Sequence, residues 1–272
     1  MTRARFGAGC LVVLLVVQRL AMAAGAAPRP SPPVPPSPVP LSVAAASDLQ
    51  HVWPAIADRF THETGQATRV TFGSSGNFFA QITNGAPFDV FLSADVEYPR
   101  RLVASGAAAA DTIYEYATGR LVLWARRDRA LDLTTGLRAL TDPRIRRIAI
   151  AHPDHAPYGR AAVEALRSER IDTAVGPKLV FGENISQAAH FVESGNADAG
   201  ILAMSLAVSP ALTAVGTFTE VPAASHTPLR QAGVVISASS HPAARALLLF
   251  LQRAEIRSLL ARSGFSVGPV RP

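Results

Sequence analysis

The chain has 272 residues, 49% of them hydrophobic and 17% charged, a globular composition that excludes a disordered polymer. Its formal charge is +6, but the basic residues are scattered, with short pairs only at Arg126–Arg127 and Arg146–Arg147. The basic stripe with stacking or base-reading groups that nucleic acid requires is missing, and a single cysteine, Cys10, excludes a disulfide framework and a thiolate metal site.

Residues 1–23 begin with Arg3 and Arg5, run through apolar Phe6 to Val17 and reach the small-x-small triplet Ala21-Met22-Ala23. This is the pattern of a secretory signal peptide. The apolar run is well short of the roughly 20 residues that span a bilayer, which disfavours a membrane anchor. Gly7-Ala8-Gly9 ahead of Cys10 lacks the large aliphatic residue of a lipidation site. Cleavage after Ala23 removes three arginines and no acids, leaving 23 basic against 20 acidic residues, a formal +3. Residues 24–40 contain APRPSPPVPPSPVP, a proline-rich spacer of polyproline II character.

From Leu41 the pattern alternates. A short buried strand is predicted at 41–46, then a helix over 52–65 with Ile56, Ala57 and Phe60 on one face and Gly65 as its stop. Strand 67–72, helix 77–85, strand 88–94, helix 96–106 and strand 120–127 follow. In the second half, strand 147–151, helix 159–171, strand 178–182, helix 185–195 and a strand from Asp198 lead to strand 230–237 and one or two helices across 241–264. Strands and helices taking turns argue for α/β architecture with largely parallel sheets covered by helices.

Ligands of such sheets bind beyond the carboxyl ends of strands, beside helix N-termini. Four post-strand loops therefore stand out: AAASDL, TFGSSGN, IAHPDHAPYGR and FGENIS. Each sets small or polar residues before a helix, whose free N–H groups and partial positive charge attract anions without a charged side chain. Ser47, Ser74 and Ser75 add hydroxyls, Tyr158 a phenol, and Asn184-Ile185 main-chain N–H groups. Helix capping is the plain alternative for any one serine, and Ser47 with Gln50 three residues on suggests a capping box. Pro54 argues instead for a later helix start. The loop FGSSGNFF is not a Walker loop, since no Gly-Lys-Ser/Thr closes it.

Together these residues resemble a known family. AAASDL, TFGSSGN, QITNGAPFDVFLSAD, IAHPDHAPYGRAAVEAL, GENISQA, ADAGIL and AEIRSLLARSGF occur in the order found in the periplasmic molybdate-binding proteins of ABC importers, and the resemblance runs from Leu41 to Val267. It implies a type II periplasmic binding protein with two Rossmann-like α/β lobes and a hinge. Residues 41–120 plus 231–272 would form lobe 1 and residues 121–230 lobe 2. It further implies a monomer in the periplasm that captures molybdate, and tungstate, in the interlobe cleft. The partner would be a membrane permease, with no cofactor and no enzymatic activity. Position by position, Ser47, Ser75, Tyr158 and Ile185 fall on ligand positions: two serine hydroxyls, a phenol and a backbone N–H. All would bind oxygens, so no side chain coordinates metal.

Two departures accompany this resemblance. Ala203 stands where many members have tyrosine, which leaves Tyr158 to supply the hydroxyl. Asp48 places a carboxylate beside the proposed anion, and is expected to face outward or give only its N–H. A site of neutral donors suits a dianion that carries no proton. Sulfate, thiosulfate or a small organic anion are the alternative ligands. A hydrolase is the remote one, because the G-x-S-x-G elbow is absent and the seven histidines are dispersed. His152 and His155 are the nearest approach to a metal pair, with no carboxylate cluster to complete it.

Overall fold

The computed structural model describes residues 39–268. The expected signal peptide and nearly all of the proline-rich tract lie outside them. The described residues belong to one compact unit, Val34–Pro272, which holds two five-stranded sheets.

In chain order the first sheet begins with β1 (Leu41–Ala46), α1 (Trp53–Thr64), β2 (Thr68–Gly73), α2 (Ser75–Thr83), β3 (Val90–Ser93), α3 (Glu97–Ala104) and β4 (Tyr114–Gly119). The chain then crosses at Arg120 and builds the second sheet. This comprises β5 (Leu121–Arg126), β6 (Ile148–Ala151), α4 (Pro157–Ser168), α5 (Asp172–Val175), β7 (Leu179–Gly182), α6 (Ile185–Glu193), β8 (Ala199–Ala203), α7 (Met204–Ala207), α8 (Pro210–Val215) and β9 (Gly216–Glu220). It returns as β10 (Leu229–Val235), α9 (Ala244–Leu251) and α10 (Ala254–Arg262).

The strand orders are β2-β1-β3-β10-β4 and β7-β6-β8-β5-β9. These form two lobes built on one plan. The sheets are mixed, not largely parallel. β10 is antiparallel to β3 and β4, and β5 to β8 and β9. Both reversed strands are the first entered after a crossing between lobes. Such a strand starts at the end of the sheet where its neighbours finish, so its direction is opposite to theirs. Leu229 and Arg230 lie in β10, in the first sheet, although the sequence division groups them with the second lobe.

β1 is buried along its whole length, as a central strand covered on both faces must be. One face of the first sheet packs against α1, α9 and α10, with Phe60 and Phe250 meeting edge to face at 5.3 Å between ring centres. The other face packs α2 and α3 through Phe78, Phe91 and Leu102. In the second lobe Trp124 on β5 is fully buried. The core of that lobe also takes in Ala46, the last residue of β1, and Ala94, which directly follows β3 in the first lobe. Apolar packing thus continues from one lobe into the other.

Among the described residues no helix is long and apolar enough to cross a membrane.

Candidate functional site

The carboxyl ends of β1, β2, β6 and β7 converge between the lobes, and Ser47, Ser75, Tyr158 and Ile185 all line the cavity there. Two come from the first lobe and two from the second. The cavity volume is only about 10 Å³, against roughly 300–1,000 Å³ for organic-ligand sites. The space is about that of one water and too small for an organic ligand.

Three helices start at this cavity. Ser75 is the first residue of α2, Ile185 the first of α6 and Tyr158 the second of α4. Main-chain N–H groups at such positions have no partner within their own helix and sit at the positive end of its dipole. The starts are fixed locally. Ser74 Oγ accepts from Asn77 N at 3.4 Å, Asn184 Oδ1 accepts from Gln187 N at 3.0 Å, and Pro157 opens α4. Helix α2 begins two residues earlier than its apolar pattern suggests, because Ser74 is its cap.

Ser75 Oγ accepts from Ala94 N at 2.9 Å, which keeps its own proton available to donate. Ser47 does not build the suggested capping box. It opens a short 3-10 turn, Ser47–Leu49, with no side-chain cap, and α1 starts only at Trp53. Its Oγ accepts from Ser186 N at 3.4 Å, and Ser186 Oγ donates to Ser47 O at 3.0 Å. The β1 loop is thereby tied to the opposite lobe.

Asp48 corrects an expectation. Its side chain is 1% exposed and turned inward. Oδ2 accepts from Tyr158 Oη at 2.9 Å and from Gln231 Nε2, while Tyr116 Oη donates to Gln231 Oε1 at 2.9 Å. Burial pushes the Asp48 carboxyl up to about 6, against the opposing pull of hydrogen bonds from Gln231 and Tyr158. Burial first, and the Asp48 charge second, hold the Tyr116 and Tyr158 phenols well above their usual range, so both remain protonated donors. The proton of Tyr158 is thus committed to Asp48 and not to the cavity. What Tyr158 presents to the cavity from the start of α4 is its main-chain N–H.

The network has no room for a larger residue at the crossing. A Cβ on Gly119, at the end of β4, would collide with the Tyr158 hydroxyl and lie 3.0 Å from Gln231 Nε2. Ala203, the other departure, is buried at the end of β8, and nearby Ser205 Oγ donates to Asp48 O at 2.8 Å. Sequence reasoning missed Gln231, Tyr116 and Ser205. They lie on strands and a helix turn remote from Asp48 in the chain, and no local motif marks them.

The lobes meet across the mouth of the cavity. Gly76 N and Ser74 Oγ both donate to His155 O, at 2.9 and 2.6 Å. Arg160 on α4 pairs with Asp95 and donates to Tyr98 Oη at 3.1 Å, so it bridges the lobes. His152 and His155 stack at 4.9 Å between ring centres. Burial, then the neighbouring His152, lowers the His155 pKa. Among the described residues no group of histidine, cysteine or acidic side chains is arranged to hold a metal ion.

Two mixed α/β lobes that meet over a cavity at helix N-termini are the architecture of the type II binding-protein class. Residues 41–266 match the family of bacterial extracellular solute-binding proteins. The molybdate-binding protein ModA of Azotobacter vinelandii is 34% identical over 226 residues, covering 83% of this chain and 89% of that protein. ModA of Rhodobacter capsulatus is 36% identical over 223 residues, covering 82% and 86%. The solved structure of the periplasmic molybdate-binding protein of A. vinelandii superposes with a TM-score of 0.78 at 29% identity, covering 84% of this chain and 99% of that one. The chain belongs to the bacterial extracellular solute-binding protein family and is of the ModA type.

Proposed function

We propose that this protein captures molybdate, and tungstate by the same chemistry, in its interlobe cleft. It acts in the periplasm as a monomer and delivers the anion to the permease of an ABC importer. Ser47 and Ser75 give hydroxyl protons, and Ser75, Tyr158 and Ile185 give main-chain N–H groups. Every contact is to oxygen, no covalent step occurs, and no cofactor takes part. The observation that carries this reading is the convergence of three helix starts with Ser47 and Ser75 on one small cavity, with no cationic side chain lining it. Such donors, already oriented by their helices, stabilise a dianion at little reorganisation cost. The similarity to ModA proteins over more than four-fifths of the chain supports the choice of ligand.

Calorimetry of the chain from residue 24 onward with molybdate, tungstate, sulfate and phosphate tests the reading. Molybdate and tungstate should saturate at one anion per chain, with sulfate and phosphate weaker by at least about 1.4 kcal/mol, a factor of ten. Tight binding of phosphate or an organic acid, with none of molybdate, would overturn it.

A further inference from the structure

Asp48 is an anomaly in an anion site. It lines the cavity, its side chain is almost wholly buried, and its two oxygens are treated unequally. Oδ2 receives two donors, Tyr158 from α4 and Gln231 from β10, while Oδ1 has no hydrogen-bond partner of good geometry, the main-chain N–H groups of Asp48 and Leu49 giving the carboxylate only minor support. A buried acceptor left unpaired costs free energy. A second negative charge arriving beside it costs more, because attraction and repulsion are both strengthened away from water.

We infer that Asp48 is itself an anion-binding group, which enters the complex as the neutral acid and donates a proton from Oδ1 to an oxygen of the bound oxyanion. The inference rests on the oxyanion reading above. The proton comes from solvent as the anion enters. It settles on Oδ1 because Oδ2 is already occupied by two donors, and no other bond forms or breaks. In that form the side chain keeps an acceptor for Tyr158 and Gln231 and gains a donor at the oxygen that lacks a partner. The unpaired atom and the like-charge conflict are resolved together.

The surroundings agree. Tyr158 on α4 and Tyr116 on β4 are the titratable groups in the network, both held protonated, and Gln231 on β10 and Ser205 on α7 are neutral. Burial and hydrogen bonds set the affinity of Asp48 for its proton, and no cation contributes. Without the anion its carboxyl titrates near 6, so the free protein is largely ionised above pH 7 and largely protonated at pH 5. The approaching dianion raises that value further. His155 is the other group near the cleft whose pKa is displaced, but it contacts Ser74 and not Asp48.

The test is calorimetry of molybdate binding in two buffers of different ionisation enthalpy, from pH 5 to pH 8. Wild type should take up close to one proton per molybdate at pH 8 and close to none at pH 5. Its affinity should fall about tenfold per pH unit above 7, as one-proton linkage requires. Asp48→Asn places an amide donor where the acid proton would be. It should bind without proton uptake and with a flat affinity between pH 6 and pH 8, which also removes His155 as the source. Tight molybdate binding by wild type with no proton uptake at pH 8 would overturn the inference alone. Retention of the wild-type pH slope in Asp48→Asn would do the same. Absence of molybdate binding at every pH would overturn the oxyanion reading, and this inference with it. The wild-type proton count decides the matter even where the variant does not fold.

Discussion

The carboxyl group of Asp48 also bears on stability before any anion binds. Its folded-state value is raised from 3.8 to about 6, roughly two units at about 1.36 kcal/mol each, or about 3 kcal/mol. The sign follows from proton counting. Between pH 4 and pH 6 the folded chain holds a proton on Asp48 that the unfolded chain has lost, so stability from this group falls as pH rises through that window. Above pH 6 the full cost stands. Asp48→Asn cannot ionise and escapes it. Urea unfolding of the anion-free protein should show the variant gaining on wild type between pH 4 and pH 6, by up to about 3 kcal/mol, and a constant difference from pH 7 to pH 8. A difference that stays flat from pH 4 upward would mean that the folded carboxylate is solvated and not buried.

At the scale of elements, the site depends on where helices start, and those starts rest on single caps. Asn184 carries α6: its side chain accepts from Gln187 N, and Ile185 N–H is left at the cavity. Asn184→Ala should lose about 1 kcal/mol of stability, a fall in Tm of about 2–4 °C for a chain of this size. It should also weaken molybdate binding severalfold, because the first turn frays where the anion sits. An unchanged Tm read by circular dichroism would show that the cap is dispensable. The starts of α2 and α6 are legible in sequence because small and polar residues cluster after apolar strands, and that pattern with the family resemblance points to Ser47, Ser75 and Ile185, which line the cavity. Other elements were not legible. β4 and β9 are edge strands with polar residues interleaved, YEYATG and GTFTE, so neither has the apolar run that marks β1 or β6. The reversal of β5 and β10 leaves no trace in hydrophobic period, since a strand reads alike in either direction. The Asp48 network was hidden for a related reason: Tyr158 and Gln231 lie 110 and 183 positions away in the chain, and only the crossing of the chain between lobes brings them together.

At the scale of the whole molecule, a binding protein of this class works by changing the separation of its lobes, and the structure has them closed over the cavity. At Gly76 the main chains of the two lobes are hydrogen-bonded to each other. The Gly76 N–H bonds the His155 carbonyl, and a Cβ there would lie 2.5 Å from that oxygen, 2.9 Å from His155 Cα and 2.9 Å from Tyr98 Oη. The first two are main-chain atoms of the opposite lobe and cannot swing aside as a flexible side chain does. Within α2, by contrast, alanine is a better helix former than glycine by about 0.8–1.0 kcal/mol. Gly76→Ala therefore separates folding from closure. With the lobes apart the variant should be at least as stable as wild type, and with the lobes together it clashes. A ligand shifts an equilibrium only by its preference for one state, so molybdate must now work against the clash, which at about 1–3 kcal/mol for an overpacked contact weakens binding by roughly five- to 150-fold. Small-angle scattering should show wild type contracting when molybdate is added, and the variant contracting less at the same anion concentration. Wild-type affinity and full contraction in Gly76→Ala would show that the lobes close on the anion without the Gly76–His155 contact.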